Sequence, residues 1–418
     1  MRFARGFERE CLLNTDRQSC AHIKIAVSFA EERSVNHVPR HLVILLGLTW
    51  LGQTSTAQTV EEQHVQIHGF ATQAFLCSNA NNYLGTNSVG GTLAWTEAAI
   101  NLNDQVTTKL RAGIQLHYTR LGNFGGEAPT VDWALGDYRA MEWLGIRAGK
   151  VKMRWGLYND VQDYDPGYMW SLLPEGMYGI DTRSTNLSQL GVEVYGRIPL
   201  QQNLGSMEYC FYYGNYTDAT DDGAMEALRE EGFNLVGPPG GRVTGFDLKW
   251  HTPLTGLNVG GSLMKYDATA TLTNGRYIQP PAFWPAYYVE YDRKKVFFSA
   301  QFVHEVEYDE SVLQNAAPAV SQWDYSTWFV MGGYHITHKL QAGAYYTSYI
   351  VGDVDQSNSA NYFHDWVASS RYDFNEYVYA KVEGHFIDGN SVGFYQFDNL
   401  AGLTPRTNLL VSKIGFTF

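Results

Sequence analysis

Apolar and polar side chains alternate through nearly the whole chain from residue 58 onward. Residues 109–119, 192–198 and 377–386 show the pattern clearly, with apolar side chains at alternate positions and mostly polar or charged ones between them. Successive side chains of a β-strand point to opposite faces, so this period predicts strands with one oily and one hydrated face. About sixteen such segments follow one another, each of roughly the ten residues that a tilted strand needs to cross a membrane.

Short and long connections alternate between these segments. The short turns fall near residues 103–104, 142, 201–203, 253–256, 292–293, 337–339 and 374–376. The long loops fall near residues 78–89, 121–130, 154–184, 217–241, 268–282, 308–322, 351–361 and 388–406. One rim of a transmembrane barrel carries tight turns and the other carries extended loops, whereas a soluble β-sandwich does not sort its connections in this way. The sequence therefore predicts an all-β fold, a closed transmembrane antiparallel β-barrel of about sixteen strands.

Composition and charge exclude several other classes of protein. Of the 418 residues, 14% are aromatic and 17% are charged, and the formal net charge is -13. Ordinary globular chains have about 25% charged residues, so this composition suits a wall with only one wet face. The acidic balance, without any basic run, argues against nucleic acid as a partner. The four cysteines form no CxxC pair and have no histidine at ligand spacing, so we expect neither a disulfide framework, nor a metal site, nor a cofactor.

The N-terminal residues are typical of an export leader. The apolar run at residues 42–51 follows a basic residue and precedes the small residues 55–57, which is the pattern of a secretory signal peptide. Ten helical residues rise only about 15 Å, half the thickness of the hydrocarbon core, so this run is too short to span it. We therefore divide the chain into a leader and signal peptide, 1–57, and one barrel, 58–418. A start codon assigned too far upstream would explain the long segment 1–36.

The last strand carries a resemblance to the Gram-negative outer-membrane porins. Residues 409–418, LLVSKIGFTF, alternate and end in Phe418, and many porins end in such an aromatic residue, which the barrel-insertion machinery reads. Residues 67–71 and 147–157 are similar to segments of phosphate-selective and related trimeric porins. The resemblance covers about residues 58–418. It implies a Gram-negative outer-membrane location, contact with outer-membrane lipid, insertion through Phe418 and assembly as a homotrimer.

The same resemblance implies that the third long loop, residues 156–184, bends into the barrel and narrows the pore. The loop is also too rich in aromatic and aliphatic residues for a plain solvated loop. Its acidic side chains would face basic ones on the polar phase of the strands, and charges of both signs would orient polar solutes. The candidate pore-lining residues are Asp160, Asp163, Asp165, Glu175 and Asp181 on the loop, with Lys109, Arg111, Arg147, Arg197, Lys249, Arg371, Lys381 and Lys413 on the wall. The alternative is that these charges merely solvate the lumen.

The opposite strand phase is expected to face lipid. Aromatic side chains near strand ends fit the girdles that such barrels place at the two membrane interfaces. The predicted lipid face includes Trp133, Leu135, Ile146, Phe246, Leu248, Trp250, Tyr287, Val289, Phe298, Phe302, Val330, Tyr334, Phe416 and Phe418. The core of a soluble β protein is the alternative interpretation of these residues.

The predicted function is a water-filled channel for passive diffusion of small polar solutes or ions, without catalysis. A substrate-specific porin for anions or dicarboxylates is one alternative. A barrel enzyme is another, because the string GNSVG places Ser391 in the same segment as His385 and Asp388. A nucleophile elbow needs a helix after the string, and no helical pattern follows it. Sixteen strands would also enclose a channel.

Overall fold

The computed structural model describes residues 65–418, apart from Glu127, Gln202 and residues 314–316. The predicted leader and signal peptide, 1–57, lie outside the described residues. Within the described part there are seventeen strands, of which one, Phe124–Gly125, has only two residues. The other sixteen form the wall of a barrel, as predicted.

The sixteen wall strands are numbered here in chain order. They are β1 Val65–Ser78, β2 Thr92–Asp104, β3 Leu110–Leu121, β4 Thr130–Met141, β5 Leu144–Lys152, β6 Ser188–Pro199, β7 Ser206–Thr217, β8 Gly240–His251, β9 Leu257–Leu272, β10 Gly275–Arg293, β11 Val296–Leu313, β12 Ala319–His335, β13 Leu340–Val351, β14 Tyr362–Asp373, β15 Val378–Gly389 and β16 Arg406–Thr417. The helices are short: α1 Glu175–Tyr178, α2 Arg183–Asn186 and α3 Gly223–Glu230, with 3-10 turns at Asp165–Gly167 and Ser359–Asn361.

The wall closes on itself through the first and last strands. Each strand pairs with the next in antiparallel fashion, and β1 also pairs with β16. In that closing pair Phe70 lies opposite Thr417, and Ser78 lies opposite Leu409. Closure leaves no edge strand with unpaired backbone groups, which is the condition that a sheet must meet in order to span lipid. Among the described residues, no helix is both long enough and apolar enough to cross a bilayer.

Two of the eight predicted long loops are wrong. At 268–282 the chain continues as strand to Leu272, turns through two residues and resumes strand at Gly275. At 308–322 the strands likewise continue to Leu313 and restart at Ala319. The first segment contains a proline pair at 280–281, and both prolines fall where the strand register shifts, so no ladder hydrogen bond is required of them.

These long hairpins pack against the connection between β7 and β8. The side chains of Ala270, Leu272 and Tyr277 are buried against Leu228 and Phe233, which belong to that connection. The tall part of the wall therefore has an apolar inner face of its own. This contact explains why alternation continues beyond the length needed to cross a membrane. The structure has six of the predicted long loops, and they share one rim with the hairpins.

The wall has an apolar outside and a polar inside. Leu190, Trp366 and Ile414 are each more than half exposed on the outer face. Lys381 and Glu383, in contrast, are completely buried. A soluble protein shows the reverse arrangement, because charged side chains there lie in water. An exposed apolar band around a polar interior is the distribution expected of a barrel in lipid.

Trp133 and Leu135 do not face lipid as predicted. Both line an interior cavity, together with Arg147 and Arg154. They share the strand phase of Asp137, which is buried inside the barrel. The register of β4 against β3 also shifts beside Trp133, and such a shift changes which face a side chain reaches.

Substitution of Phe211 tests the assignment of the outer face. This side chain is 47% exposed and lies mid-strand between the buried Cys210 and Tyr212. We expect Phe211→Arg to lower the free energy of unfolding in phospholipid vesicles by about 2–4 kcal/mol, since a cation is placed in hydrocarbon. Urea titration followed by tryptophan fluorescence measures this loss. Phe211→Leu, the control, should cost less than about 1.5 kcal/mol, and equal losses for the two variants would contradict the assignment.

Candidate functional site

The connection between β5 and β6, residues 153–187, lies inside the barrel and is named here the inserted loop. Its side chains Trp155, Trp170 and Tyr178 are at most 3% exposed. Trp155 Nε1 donates a hydrogen bond to the backbone oxygen of Trp284 at 2.9 Å, and the Tyr178 hydroxyl donates to Gln301 at 2.7 Å. The loop therefore packs on the inner face of the wall. It is the third long connection, folded into the pore as predicted.

Gly156 allows the inserted loop to leave the wall in this direction. Its φ of 66° lies in the left-handed region that favours glycine. A Cβ at this position would come within 2.4 Å of both the Gln301 amide and the Tyr178 hydroxyl. Its backbone N–H donates to the Ser262 hydroxyl at 2.9 Å, and Ser262 in turn donates to Asp247 at 2.6 Å. The entry of the loop is thus joined to a wall carboxylate.

Asp165 fastens the middle of the inserted loop to the wall. Lys413 Nζ lies 2.7 Å from one carboxylate oxygen, and Lys381 Nζ lies 3.0 Å from the other. The Tyr379 hydroxyl donates to the same carboxylate at 2.7 Å. Lys381 also donates to the backbone oxygen of Trp170 at 2.9 Å. This group of Asp165, Lys381, Lys413 and Tyr379 is named here the Asp165 anchor.

The charges of the anchor stabilise one another. The side chains of Asp165, Lys381 and Lys413 are at most 1% exposed. Burial alone would raise the pKa of Asp165, but the two ammonium groups and the hydrogen bonds from Lys413 and Tyr379 hold it well below its usual value. Asp165 is therefore ionised at any physiological pH, and its negative charge is matched within the wall.

A second attachment lies next to the anchor. Both oxygens of Glu383 accept backbone hydrogen bonds from the loop, from Ser171 at 3.0 Å and from Leu172 at 2.9 Å. His385 lies between Glu383 at 3.1 Å and Asp365 at 2.7 Å. Both ring nitrogens of His385 are thus engaged by carboxylates. Glu383 is not among the candidate residues selected from the sequence, so this contact with the loop was not predicted.

Three further attachments use basic residues that the sequence analysis did not select. Lys152, at the end of β5, lies 2.6 Å from Asp163, and Arg183, on α2, lies 3.0 Å from Asp132. Arg154, at the start of the loop, pairs with Glu208 at 2.7 Å. Only the acidic residues of the loop segment had been considered as charges. Arg154 and Arg183 stand in the same stretch of sequence as those acidic residues and could have been selected with them.

One cavity opens below the inserted loop, toward the short-turn rim, and is named here the short-turn chamber. Its volume is about 530 Å³. Six basic and three acidic side chains line it: Lys109, Arg111, Arg139, Arg147, Arg154 and Arg197, with Asp137, Glu142 and Glu208. Asp137 lies 3.2 Å from both Arg111 and Arg147, and Arg197 donates to the Ser206 hydroxyl. The chamber keeps an excess of positive charge.

A second cavity opens above the inserted loop and is named here the long-loop chamber. Its volume is about 480 Å³. Five carboxyl groups line it, those of Glu175, Asp181, Glu230, Glu231 and Glu305. None of its described lining residues is basic, and none of the five forms an ion pair with a described residue. The lining of the long-loop chamber is therefore acidic, and that of the short-turn chamber is mainly basic.

Glu175 is the most deeply buried carboxyl group of the long-loop chamber. The residue is 4% exposed. One oxygen accepts the backbone N–H of Ile180 at 3.1 Å, while Oε1 has no hydrogen-bond partner among the described residues. Burial, and then the negative charge of Asp181, raise the pKa of Glu175 well above its usual value. This carboxyl group lacks the compensation that Asp165 has.

Eleven of the thirteen predicted pore-lining residues fall into three groups, and Asp160 and Lys249 belong to none of them. Lys109, Arg111, Arg147 and Arg197 line the short-turn chamber. A second group attaches the inserted loop to the wall. Lys381 and Lys413 contact Asp165, and Asp163 contacts Lys152. Arg371 donates to the backbone oxygens of Pro166 and Tyr168. The third group, Glu175 and Asp181, lines the long-loop chamber. Asp160 lies 3.8 Å from Arg154, and Lys249 pairs with Glu290 outside both chambers. Loop and wall charges therefore touch at the anchor.

Comparison with known proteins identifies the fold. Neither a protein-family model nor a curated protein matches the sequence. The anion-selective porin from Comamonas acidovorans is 10% identical, with 85% of this chain and 100% of that chain covered and a TM-score of 0.53. Salmonella typhi OmpF in complex with daunomycin is 16% identical, with 85% and 97% covered and a TM-score of 0.54. The outer membrane channel DcaP of Acinetobacter baumannii is 10% identical, with 87% and 100% covered and a TM-score of 0.51. The chain has the fold of these barrels.

Removal of the anchor charge should release the inserted loop. Asp165→Asn leaves two buried ammonium groups without a counter-charge, and breaking a buried pair in this way costs about 3–5 kcal/mol. We expect faster hydrogen–deuterium exchange in residues 158–173 and a lower free energy of unfolding. Asp160→Asn is the matched control, because Asp160 is half-exposed and its contact with Arg154 is worth at most about 1 kcal/mol. Equal exchange in the two variants would show that Asp165 is not an anchor.

Neutralising Glu175 should stabilise the protein at neutral and higher pH. A carboxyl group with a raised pKa contributes full stability below its unfolded pKa of about 4.3, and that contribution is lost as pH rises toward the folded pKa. We expect Glu175→Gln and the unchanged protein to unfold with equal free energies at pH 4. At pH 8 the variant should be more stable by about 1.4 kcal/mol or more, because a tenfold difference in proton affinity between the folded and unfolded states is worth that much. Urea titrations at the two pH values measure the difference, and parallel pH profiles would argue against an uncompensated Glu175.

Proposed function

We propose that the protein is an outer-membrane porin, a channel through which small polar solutes and ions diffuse passively. The observation that carries the proposal is the closed wall with an apolar outer face and charged chambers on both sides of the inserted loop. An interior lined by ionised side chains stabilises water and polar solutes in a way that lipid does not. Two of the neighbouring structures, described as an anion-selective porin and an outer membrane channel, support the same function.

The geometry favours a channel over a barrel hydrolase. A serine nucleophile needs a histidine in hydrogen-bond reach to take its proton. His385 donates or accepts at both ring nitrogens with Asp365 and Glu383, and the Ser391 hydroxyl has no hydrogen-bond partner among the described residues. These contacts support a structural part for His385 in fastening the inserted loop. The string around Ser391 then belongs to a loop that covers the long-loop chamber.

In this channel the inserted loop would set the narrow point. A solute passing through it would meet an acidic chamber on the long-loop side and a basic chamber on the short-turn side. Charges that line a confined path act more strongly than in open water, because low-dielectric walls focus their field. Fixed loop attachments keep these charges in place, so the protein would sort solutes by size and charge without moving parts.

We further infer assembly and location from the barrel type. Tight turns on one rim and long loops on the other are typical of barrels in the Gram-negative outer membrane, with the loops outside the cell. A trimer is supported by one neighbour, 11% identical with a TM-score of 0.51, described as a trimer form of OmpT of Vibrio cholerae. Phe418 exchanges backbone hydrogen bonds with Gly69 at 3.0 and 3.1 Å, which fits a final strand that completes the wall. Export would require removal of the leader 1–57.

A second candidate is a channel that prefers anions. The excess of basic side chains in the short-turn chamber favours it, since fixed positive charge raises the local concentration of anions. The neighbour from Comamonas acidovorans is described as anion-selective. In this version the short-turn chamber, and not the acidic chamber above it, controls which ions cross.

Conductance across a planar lipid bilayer tests both candidates. The purified full barrel is expected to give discrete, stable conductance steps in KCl alone, without any added substrate. The reversal potential in a tenfold KCl gradient then separates the two: a value near zero indicates general diffusion, and a strong chloride preference indicates the anion channel. Hydrolysis of ester or peptide substrates without any conductance would overturn the proposed function.

A further inference from the structure

Strand β12 rises higher at the long-loop rim than strand β13 does. The ladder between these two strands ends at Tyr325, which lies opposite Val351. Above this pair, residues 319–324 of β12 pair with β11 alone. Residues 319–322 are all exposed. The upper part of β12, residues 319–324, therefore has one side without a neighbouring strand, and this side is named here the free edge.

The free edge presents backbone groups that the barrel itself does not pair. The Gly352 N–H donates to the backbone oxygen of Asp324 at 2.7 Å, so the backbone groups of Asp324 point to the β13 side. The N–H and C=O of one strand residue point to the same side, and every second residue repeats that direction. The N–H and C=O of Val320 and Gln322 consequently face the free edge, where no described residue bonds to them.

The free edge lacks the devices that usually prevent a strand from pairing with another chain. Exposed edges are commonly protected by a lysine, a proline or a bulge. Residues 319–323, AVSQW, contain no charged residue and no proline. The register between β11 and β12 also runs without a shift over its whole length. A regular, neutral stretch of strand is thus open to pairing.

The free edge lies in water, beyond the lipid. Trp328 and Tyr346, on the outer phase of β12 and β13, pack with their ring centroids 5.2 Å apart. Aromatic side chains of this kind mark the membrane interface of a barrel. Nearer the rim, the outer phase of β12 carries Ser326, Asp324 and Gln322, which are polar. A protein at the cell surface can therefore reach the free edge.

The surroundings of the free edge are acidic. Residues 305–334 and 345–363 contain seven acidic residues and no lysine, arginine or histidine. Four of the acidic residues lie on the outer strand phase or in the exposed loop after β13: Glu310, Asp324, Asp353 and Asp355. The nearest basic group to Asp324 is the His304 ring, at 3.6 Å. A partner with positive charge is complementary to this surface.

We propose that the free edge binds an extended basic segment of another protein, which adds to the sheet as one further strand. The backbone groups of Val320 and Gln322 hydrogen-bond the backbone of the segment, as in other cases of strand addition. The acidic side chains attract lysine or arginine side chains at alternate positions of the segment. The inference goes beyond the proposed function, because the free edge lies outside the channel.

A second copy of this chain fits the free edge less well. In the same membrane the β12 strands of two copies run in the same direction, so they can pair only in parallel, which is the less stable arrangement. Each copy also brings the same acidic side chains to the contact, and like charges on facing strands are destabilising. Both arguments favour a basic partner over self-association.

A synthetic peptide tests the free edge without any change to the protein. The probe is a dye-labelled peptide of sequence Lys-Val-Lys-Thr-Lys-Val, and its fluorescence anisotropy is measured with the purified full barrel in detergent micelles. We expect the probe to bind. A peptide of the same sequence with every backbone nitrogen methylated keeps the charge but cannot donate to a strand, and it should bind about tenfold more weakly or worse. Replacement of each lysine by glutamate should abolish binding.

Two variants at one position locate the bound peptide. Gln322→Pro removes an N–H that faces the free edge and costs no hydrogen bond to β11, so the barrel should fold normally. This variant should bind the probe about tenfold more weakly or worse. Gln322→Ala, the matched control, keeps the N–H and should bind as the unchanged protein does. Asp324→Asn should weaken binding about twofold or more at low ionic strength, because one attracting charge is lost.

Three results would overturn the proposal: no binding of the probe, equal affinity for the methylated and unmethylated peptides, or equal affinity of Gln322→Pro and Gln322→Ala. Analytical ultracentrifugation of the same two variants gives a fourth. An assembly of the barrel that is lost in Gln322→Pro and kept in Gln322→Ala would show that a second copy occupies the edge. Conductance does not enter these measurements, so failure of the proposed channel would leave their outcome unchanged.

Discussion

The structure depends on the rule that every backbone polar group inside a bilayer must find a partner within the protein. Pairing of β1 with β16 meets this rule by removing the last free edge of the sheet. Once the sheet is closed, alternate side chains must point into the enclosed space or out to lipid. The apolar band and the charged interior are both consequences of that closure, since a period of two leaves no third direction.

Closure also places charged side chains inside the barrel, where each needs a partner. The acidic side chains of the inserted loop differ in whether they have one. At Asp165 the negative loop charge is matched by Lys381 and Lys413, so the loop is held and the charge is neutralised. At Glu175 the described residues provide no such partner. The difference divides the loop into a part that is fastened by ion pairs and a part whose buried carboxyl group has no charged partner among the described residues.

The fold was predictable from the sequence because its determinants are local. Alternation, turn residues and strand length depend on neighbours along the chain, and they predicted the wall. The folding of the third long loop into the pore was implied by the resemblance to the porins. The hairpin at 268–282 was missed. Prolines usually interrupt strands, and only the register of the folded sheet shows that the pair at 280–281 falls at a shift. Trp133 was assigned to the wrong face for a related reason, since a bulge cannot be located without the partner strand.

Partnerships between charges were much less predictable than positions. Strand phase correctly put Lys381 and Lys413 on the inner face, but nothing in the sequence connects them with Asp165, more than two hundred residues earlier. The basic residues Arg154 and Arg183 were visible in the loop segment and were missed because only its acidic members were considered. The long-loop chamber brings together side chains from the inserted loop, α3 and β11, so its charge could not be summed before the fold was known.

The long hairpins of β9 to β12 extend the wall beyond the hydrocarbon layer of the membrane on one side of the barrel. Along the outer face of β9 the side chains change from Leu263 to Lys265, Thr269 and Thr271, all exposed. The hydrocarbon boundary therefore crosses β9 near Leu263, and the last quarter of the strand rises above the lipid headgroups. The long-loop rim is consequently higher at β9 to β12 than elsewhere. Molecules that approach from the cell surface meet this raised part of the wall before they reach the channel opening.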